Sequence, residues 1–299
     1  MIKTFSQLVD QVKKERPKTI AVAMAQDIDL LEALEKARAL GLAQGILTGK
    51  VNKIKALLND LNIAESNYHI LPATTEQEAV QLAVDLVRDG KAQVLMKGLC
   101  STANFLKGIL DKTNGLRSGQ VISHLALFES PYYHKLFMMS DAAMNIAPDI
   151  SAKIAITENA LAAARKLGYK KPKVAIISAL EKVNPDGIPS SADAAVIAKM
   201  GERGQIKNAI IDGPLAVDNA LSAESCKVKG LNTPVAGDAD ICIVPNIETG
   251  NVFYKLLTIL GGAKVAGIIV GAKAPIVLTS RSDSDQSKFL SIVTALKAS

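Results

Sequence analysis

Short apolar runs alternate with amphipathic stretches along most of this chain. Thr19–Ala25 (TIAVAMA), Gly45–Gly49 (GILTG), Tyr68–Ala73 (YHILPA) and Gln93–Gly98 (QVLMKG) read as strands. Helical segments lie between them: Ile28 to about Ala39, Val51–Leu61 and Thr75–Gly90. The last of these opens with the capping pattern Thr75-x-x-Glu78 and closes on Gly90. Strand–helix alternation with short connections predicts parallel sheet, right-handed crossovers and helices on both faces.

The rhythm changes after about Arg117. VISHLALFES and KLFMMSDAAMN, starting at Val121 and Lys135, lie close together with no helical period between them. They predict adjacent strands, for which an antiparallel pairing is open. A long Ala-rich helix follows from Ala152 to Lys166. Strand–helix units then resume, with strands at Lys173–Ala179, Ala209–Gly213, Ala239–Pro245 and Ala266–Gly271. Ala274–Ser280 is the last strand before a terminal helix. No Gly/Ser/Pro linker, low-complexity tract or fixed-period repeat interrupts the pattern, so two domains would be closely coupled and share the chain discontinuously.

Composition narrows the function. With 299 residues and 48% hydrophobic content, the chain has ample material for a core. Trp is absent and aromatics make up 4%, so that core is built from Ala, Val, Ile and Leu, as in helix-and-sheet layers. Net charge is +6, spread along the chain without a Lys/Arg block or basic–aromatic interleaving. This argues against nucleic acid and suits an anionic small molecule. No run approaches the roughly 20 apolar residues of a membrane span, and the N-terminus lacks a signal-peptide pattern. Cys100, Cys226 and Cys242 are odd in number and without CxxC spacing, which points to a reducing, cytoplasmic setting. His69, His124 and His134 form no ligand pattern, so no metal site is expected.

In open α/β sheets ligands bind at the carboxyl ends of the strands, and the loops there hold the candidate chemistry. In MKGLCSTANFLKG, Ser101 and Thr102 precede a helix containing Lys107. A helix N-terminus with hydroxyls and a lysine in its first turns suits an anion, although a plain Ser/Thr cap explains the same residues. MMSDAAMNIAPD sets Asp141, Asn145 and Asp149 after a strand, where caps and turns also use them. DGPLAVDNAL places Asp212 at a strand end and Asp218 one turn into a helix. In VPNIETGNVFYK, Asn246, Glu248, Gly250 and Asn251 open a helix, and small residues there allow close ligand approach. VLTSRSDS runs a strand into Ser280, Arg281, Ser282, Asp283 and Ser284. Asp283 as a helix cap and Ser282-x-x-Asp285 as a capping box account for the acids. They do not account for Arg281, whose rigid fork suits phosphate or carboxylate.

Taken together, GDADICIVPNIETGNVFYKLL, VGAKAPIVLTSRSDS, MKGLCSTANFLKGIL and GERGQIKNAIIDGPLAVDNAL resemble the phosphate acetyl/butyryltransferase family. The likeness is dense from about Val94 to Pro148 and from Lys173 to Ile292, and general before that. It implies a reversible reaction, acyl-CoA plus phosphate giving acyl phosphate plus CoA, with no metal or prosthetic group and CoA as a substrate. It implies two α/β domains with mostly parallel sheets and a cleft between them, as in isocitrate/isopropylmalate dehydrogenase-like folds. Residues 1–118 and 267–299 would form the first and 119–266 the second. By the resemblance, Ser280 would donate to the carbonyl oxyanion, Arg281 would hold phosphate, and an acid just after them would take the thiol proton. Lys107, Ser101, Thr102, Asn145, Asn246, Gly250 and Asn251 would bind substrate. The protein would be cytoplasmic and a homo-oligomer, at least a dimer, with no nucleic-acid or membrane partner.

Two departures bear on this. Acetyl-type relatives place the base seven residues after the serine, where this chain has Ser287. Asp283 is the expected base here, because it faces the loop ahead of the helix, with Asp285 or an acid from another loop as the alternatives. Acetyl-type relatives also carry an arginine where this chain has Lys107 and an early Arg/Lys/His-rich segment not found here, and both differences favour the butyryl branch. Acetyl or branched-chain transfer remains the alternative, then a non-catalytic acyl-CoA binding module or a decarboxylating dehydrogenase. The three cysteines read as structural or incidental; Cys242, inside ICIVP, should be buried, and Cys100, beside Ser101, is the one placed to react if any does.

Overall fold

The computed structural model describes residues 2–118, 121–278 and 284–299. In chain order its elements begin with α1 (Phe5–Val12), β1 (Lys18–Ala23), α2 (Ile28–Ala39), β2 (Ala43–Gly49), α3 (Val51–Asp60), β3 (His69–Pro72), α4 (Glu76–Arg88), β4 (Val94–Lys97) and α5 (Thr102–Ile109). Next come β5 (Ser123–Glu129), β6 (Phe137–Ser140), α6 (Ile150–Lys166), β7 (Lys173–Ile177), α7 (Pro189–Glu202), β8 (Ile210–Leu215), α8 (Val217–Leu221), α9 (Ala223–Val228), β9 (Ile241–Ile243) and α10 (Ile247–Lys255). A π-helical turn, Leu256–Leu260, extends α10, and β10 (Lys264–Val270), β11 (Ile276–Val277) and α11 (Asp285–Ala298) follow. The chain divides into two compact units, Phe5–Gln120 with Ala266–Ser299, and Met1–Thr4 with Val121–Val265.

In the unit containing α1–α5 and α11, the strands lie in the order β3-β2-β1-β4-β11-β10. The first five are parallel, with Ala21 opposite both Ile46 and Leu95, and Val277 opposite Met96. β10 instead runs antiparallel to β11, Ile269 against Ile276. The expected run of strand–helix units through Ala266–Gly271 and Ala274–Ser280 is corrected here. A parallel crossover needs about a dozen residues or more, and residues 271–275 provide only a hairpin turn. The final strand contracts to Ile276–Val277, because Pro275 just before it has no N–H for a ladder.

Helix α4 shows how the pattern works locally. It buries Ala79, Val80, Ala83, Val84 and Val87, one stripe at helical spacing. Thr75 Oγ accepts from the Glu78 N–H at 3.2 Å, while the Glu78 carboxylate accepts from the Thr74 N–H at 2.7 Å. Gly90, at φ +74°, takes the left-handed position that ends the helix. Helix α11 buries Phe289, Leu290, Ile292, Val293 and Leu296. Each such side chain removed from water stabilises by about 1.5–3 kcal/mol. Lys18 Nζ donates to the Leu296 carbonyl at 2.7 Å, a cation at the helix C-terminus where the dipole favours it.

In the other unit the order is β5-β6-β9-β7-β8. β6, β9, β7 and β8 are parallel, and β5 is antiparallel to β6 with Leu127 opposite Met138. Phe128 and Phe137 stack with ring centroids 5.2 Å apart, in a core that includes Cys242 at 0% exposure. At the amino ends of β6, β7 and β9 sits an ionic cluster in which Lys135 and Asp240 are buried and Lys173 and Asp238 partly exposed. Lys135 Nζ lies 2.6 Å from Asp240 and 2.8 Å from Asp238, and Lys173 also pairs with Asp238. The second oxygen of Asp240 accepts the Lys173 N–H at 2.8 Å. Burial raises the Asp238 carboxyl, but the two lysines outweigh it and hold the group well below the usual carboxylate range. Among the described residues no helix is long and apolar enough to cross a membrane.

Candidate functional site

The carboxyl ends of β1, β4 and β11 lie side by side, Ala23 opposite Lys97 and Val277 opposite Met96. After β1 and β4 the backbones are laced together. Gly98 N–H donates to Ala23 O at 2.8 Å and Leu99 N–H to Met24 O at 2.7 Å. Met24 holds φ +54°, and a Cβ at Gly98 would lie 2.2 Å from its carbonyl oxygen. Glycine at 98 is therefore a requirement of backbone approach, and it sets where the next loop stands.

That loop carries Ser101 and Thr102. Ser101 caps α5, its Oγ accepting the Asn104 N–H at 3.2 Å. The N–H of Ser101 itself donates to Glu76 Oε1 at 2.6 Å, and Asn104 Nδ2 donates to the same oxygen at 3.0 Å. A carboxylate of the protein thus sits at the α5 N-terminus. The Ser101 N–H first, and the Asn104 amide after it, hold Glu76 below its ordinary range. Thr102 is exposed at the first helical position. Lys107 is exposed and lies in the last turn of this eight-residue helix. The expectation of a lysine in the first turns is corrected: at 1.5 Å rise per residue it stands roughly 9 Å along the axis from Ser101, where it complements the C-terminal dipole.

Cys100 fits the reading of the three cysteines as structural. It is 5% exposed, and burial pushes its thiol up to about 11, away from the thiolate that attacks. Ser280, Arg281 and Asp283 lie outside the described residues. The chain reaches that segment from β11 beside β4 and leaves it at Ser284, the cap of α11. Ser284 Oγ accepts the Ser287 N–H at 3.2 Å and caps the helix, while the expected caps at Asp283 and Ser282 lie outside the described residues. Asp285 is exposed in the first turn, where its carboxylate, Asp29 and Glu32 offer oxygens within 4.8 Å of one another. Buried Lys288 pairs with Asp29 at 2.6 Å.

In the second unit, Asn145, Asn246 and Gly250 gather at the carboxyl ends of β6 and β9. The Asn145 amide donates to Ile122 O at 3.0 Å and to Asp141 Oδ2 at 2.6 Å, bracing the loop after β6. Asp141, 2% exposed, also accepts the N–H groups of Ala143, Met144 and Asn145. Asn246 caps α10, accepting the Thr249 N–H at 2.9 Å, and Ile247 N–H ties that loop to Ile146 O at 3.0 Å. Gly250 is buried, and a Cβ there would fall 2.6 Å from Asp141 O. The close approach expected of a ligand is made by the protein's own backbone. Asn251 is exposed on α10. Asp218 pairs with Lys229 at 3.0 Å, and Asp212 accepts the Gly213 N–H at 2.8 Å. Asp149 caps α6 through the Ala152 N–H at 2.8 Å.

Sequence reading missed Glu76 and Lys97. Glu76 has no linear signal, since the fold brings it to Ser101 from another helix. Lys97 was legible only as the polar end of an apolar run. In the first unit the described residues thus offer hydroxyls and a half-buried ammonium around one sheet edge, the N–H groups of Gly98, Leu99 and Ser101 being taken up within the protein and the nearby thiol held protonated. Such a site suits an anion better than covalent catalysis by the protein.

Comparison with known proteins bears on that chemistry. The family model described as Phosphate acetyl/butaryl transferase matches residues 70–296. The phosphate butyryltransferase of Clostridium acetobutylicum is 44% identical over 295 residues, 99% of this chain and 98% of its own. The crystal structure of a branched-chain phosphotransacylase from Enterococcus faecalis aligns with TM-score 0.84 at 38% identity, covering 94% of this chain and 98% of its own. A 4-hydroxythreonine-4-phosphate dehydrogenase from Klebsiella pneumoniae, 12% identical, aligns with TM-score 0.61 over 94% of this chain and all of its own, a likeness of fold alone.

Proposed function

The chain belongs to the phosphate acetyl/butyryl transferase family, and we propose that it moves a short acyl group, butyryl or similar, reversibly between CoA and inorganic phosphate. The observation that supports this best is the pairing of β11 on β4, which directs the chain toward Ser280-Arg281 from the sheet edge that also bears Lys97 and Ser101. In the acyl-phosphate to CoA direction, Asp283 takes the thiol proton. The thiolate attacks the carbonyl carbon, Ser280 donates to the oxyanion, and the C–O bond to phosphate breaks. Arg281 holds the departing phosphate. No protein nucleophile takes part, in keeping with the protonated thiol of Cys100. A donor aimed at the oxyanion supplies roughly 3–4 kcal/mol.

CoA is a substrate in this scheme and no metal or prosthetic group is used. The butyryl preference follows the Clostridium relative's name and Lys107 in place of arginine. Acetyl or branched-chain preference is the alternative, and the Enterococcus structure's title names a branched-chain enzyme. We place the enzyme in the cytoplasm as a homo-oligomer, at least a dimer. Val252, Leu256, Ile259 and Leu260 expose 57%, 50%, 74% and 78% of their surface along α10 and its π turn, an apolar face a second copy would cover. Sedimentation velocity returning only a 31.6 kDa species would remove the dimer.

The test is free-thiol release from acetyl-, butyryl- and isobutyryl-CoA, each with and without phosphate and with EDTA present. Release should require phosphate, be fastest with butyryl-CoA and be unaffected by EDTA. Folded protein that releases CoA equally without phosphate, or never, would remove the assignment.

A further inference from the structure

Lysines withdrawn from water in this protein are paired. Lys18, Lys135, Lys153, Lys173, Lys288 and Lys297 each have a carboxylate within ion-pair distance. Among the described residues Lys97 is the one half-buried lysine without such a partner. It ends β4, with Val94, Leu95 and Met96 buried before it. Its Nζ makes one long contact, 3.3 Å to Gly98 O. Glu76 is near enough for its carboxylate to feel the lysine's charge, but it makes no ion pair with Lys97 and its Oε1 is already engaged by Ser101 and Asn104. Burying a charge without a counter-ion is costly, so a lysine kept this way is kept for a partner that arrives.

We infer that Lys97 is a further substrate-binding residue, the counter-ion for the phosphate that is transferred; this rests on the phosphate acyltransferase reading. Three features agree on that partner. The ammonium stands at the carboxyl edge of the sheet, where α/β folds bind ligands. Strand β11 lies against β4, with Val277 opposite Met96, one residue short of Lys97. The nearest loop adds exposed hydroxyls at Ser101 and Thr102, which can donate to phosphate oxygens, while the Glu76 carboxylate beside them stays engaged by the Ser101 N–H and the Asn104 amide. A lysine also serves as a point charge that tolerates the changing geometry of free phosphate and acyl phosphate, where a fork would fix one of them.

Lys97→Met keeps the stem and removes the charge, and Lys97→Arg restores it. Losing a charge-assisted contact should raise the phosphate KM by about 10- to 100-fold in Lys97→Met, with the butyryl-CoA KM within about two-fold of wild type. Lys97→Arg should recover part of the loss. An unchanged phosphate KM, or a rise confined to the CoA KM, overturns the inference. A measurement on the wild-type protein guards against misfolded variants. Reductive methylation of Lys97, followed by peptide mass spectrometry, should be slowed by inorganic phosphate and not by chloride at equal ionic strength. Absence of protection also overturns it. Phosphate-dependent CoA release with Lys97 unprotected would sink this inference alone. Protection by phosphate without any phosphate-dependent CoA release would sink the transferase reading and leave an anion site.

Discussion

Two charged regions of the molecule are built on opposite rules. At the amino ends of β6, β7 and β9, Lys135, Lys173, Asp238 and Asp240 share ion pairs and a backbone N–H, so each charge is answered inside the protein. At the carboxyl ends of β1, β4 and β11, Lys97 has a long hydrogen bond to a carbonyl and the field of Glu76 but no ion pair, and Met24 holds a left-handed backbone against Gly98. The first arrangement needs nothing from outside and belongs to stability. The second is incomplete, as expected of a surface that meets a charged ligand, and unusual backbone conformations concentrate at such places.

Substitutions should separate the two regions by what they change. The largest effect is expected at the base. Asp283→Asn should lower turnover about 10²- to 10⁴-fold while the melting temperature stays put, because α11 is capped by Ser284. Circular dichroism and steady-state rates on one preparation decide it, and near wild-type turnover would remove Asp283 from the mechanism. Next comes Lys135→Met, which leaves Asp240, 1% exposed, without its ammonium. Stability should fall by about 3–5 kcal/mol in urea unfolding, whereas Lys97→Met should change it by less than about 1 kcal/mol. Equal losses in the two variants would erase the contrast between the regions.

The smallest effect is pH-dependent. The Asp238 carboxyl is lowered in the folded protein, so its contribution is fully present above the unfolded value of about 3.9 and is lost as pH falls through the folded value. The difference in melting temperature between wild type and Asp238→Asn should be constant from pH 7 to about 5 and shrink below about 4. A difference that grew toward acid would mean the carboxyl is not held low.

Much of the fold was legible because it follows local rules. Thr75 and Glu78 announced the start of α4, Gly90 its end, and the apolar run ICIVP the burial of Cys242. The reversal of β10 onto β11 was legible but missed: the few residues between the two apolar runs are too short for a parallel crossover, and their residue types alone say nothing of direction. The site was read less well. Ser101 and Asn246 proved to be caps, as their position before a helix allows, and Gly250 is small to admit Asp141 O. Those contacts join segments far apart in sequence, and no spacing encodes them. Lys107 attracted notice as a lysine near a cap, yet an eight-residue helix carries it to the far end, while Lys97 passed as the end of a strand. What marks Lys97 is the missing carboxylate, visible only when every other withdrawn lysine has one.

The most direct test is the stoichiometry of the products. Wild-type protein given butyryl-CoA and phosphate should form butyryl phosphate, trapped by hydroxylamine as the hydroxamate, in one-to-one ratio with free CoA from the first turnover onward. CoA released without matching butyryl phosphate, or butyryl found on the protein itself, would contradict direct transfer to phosphate.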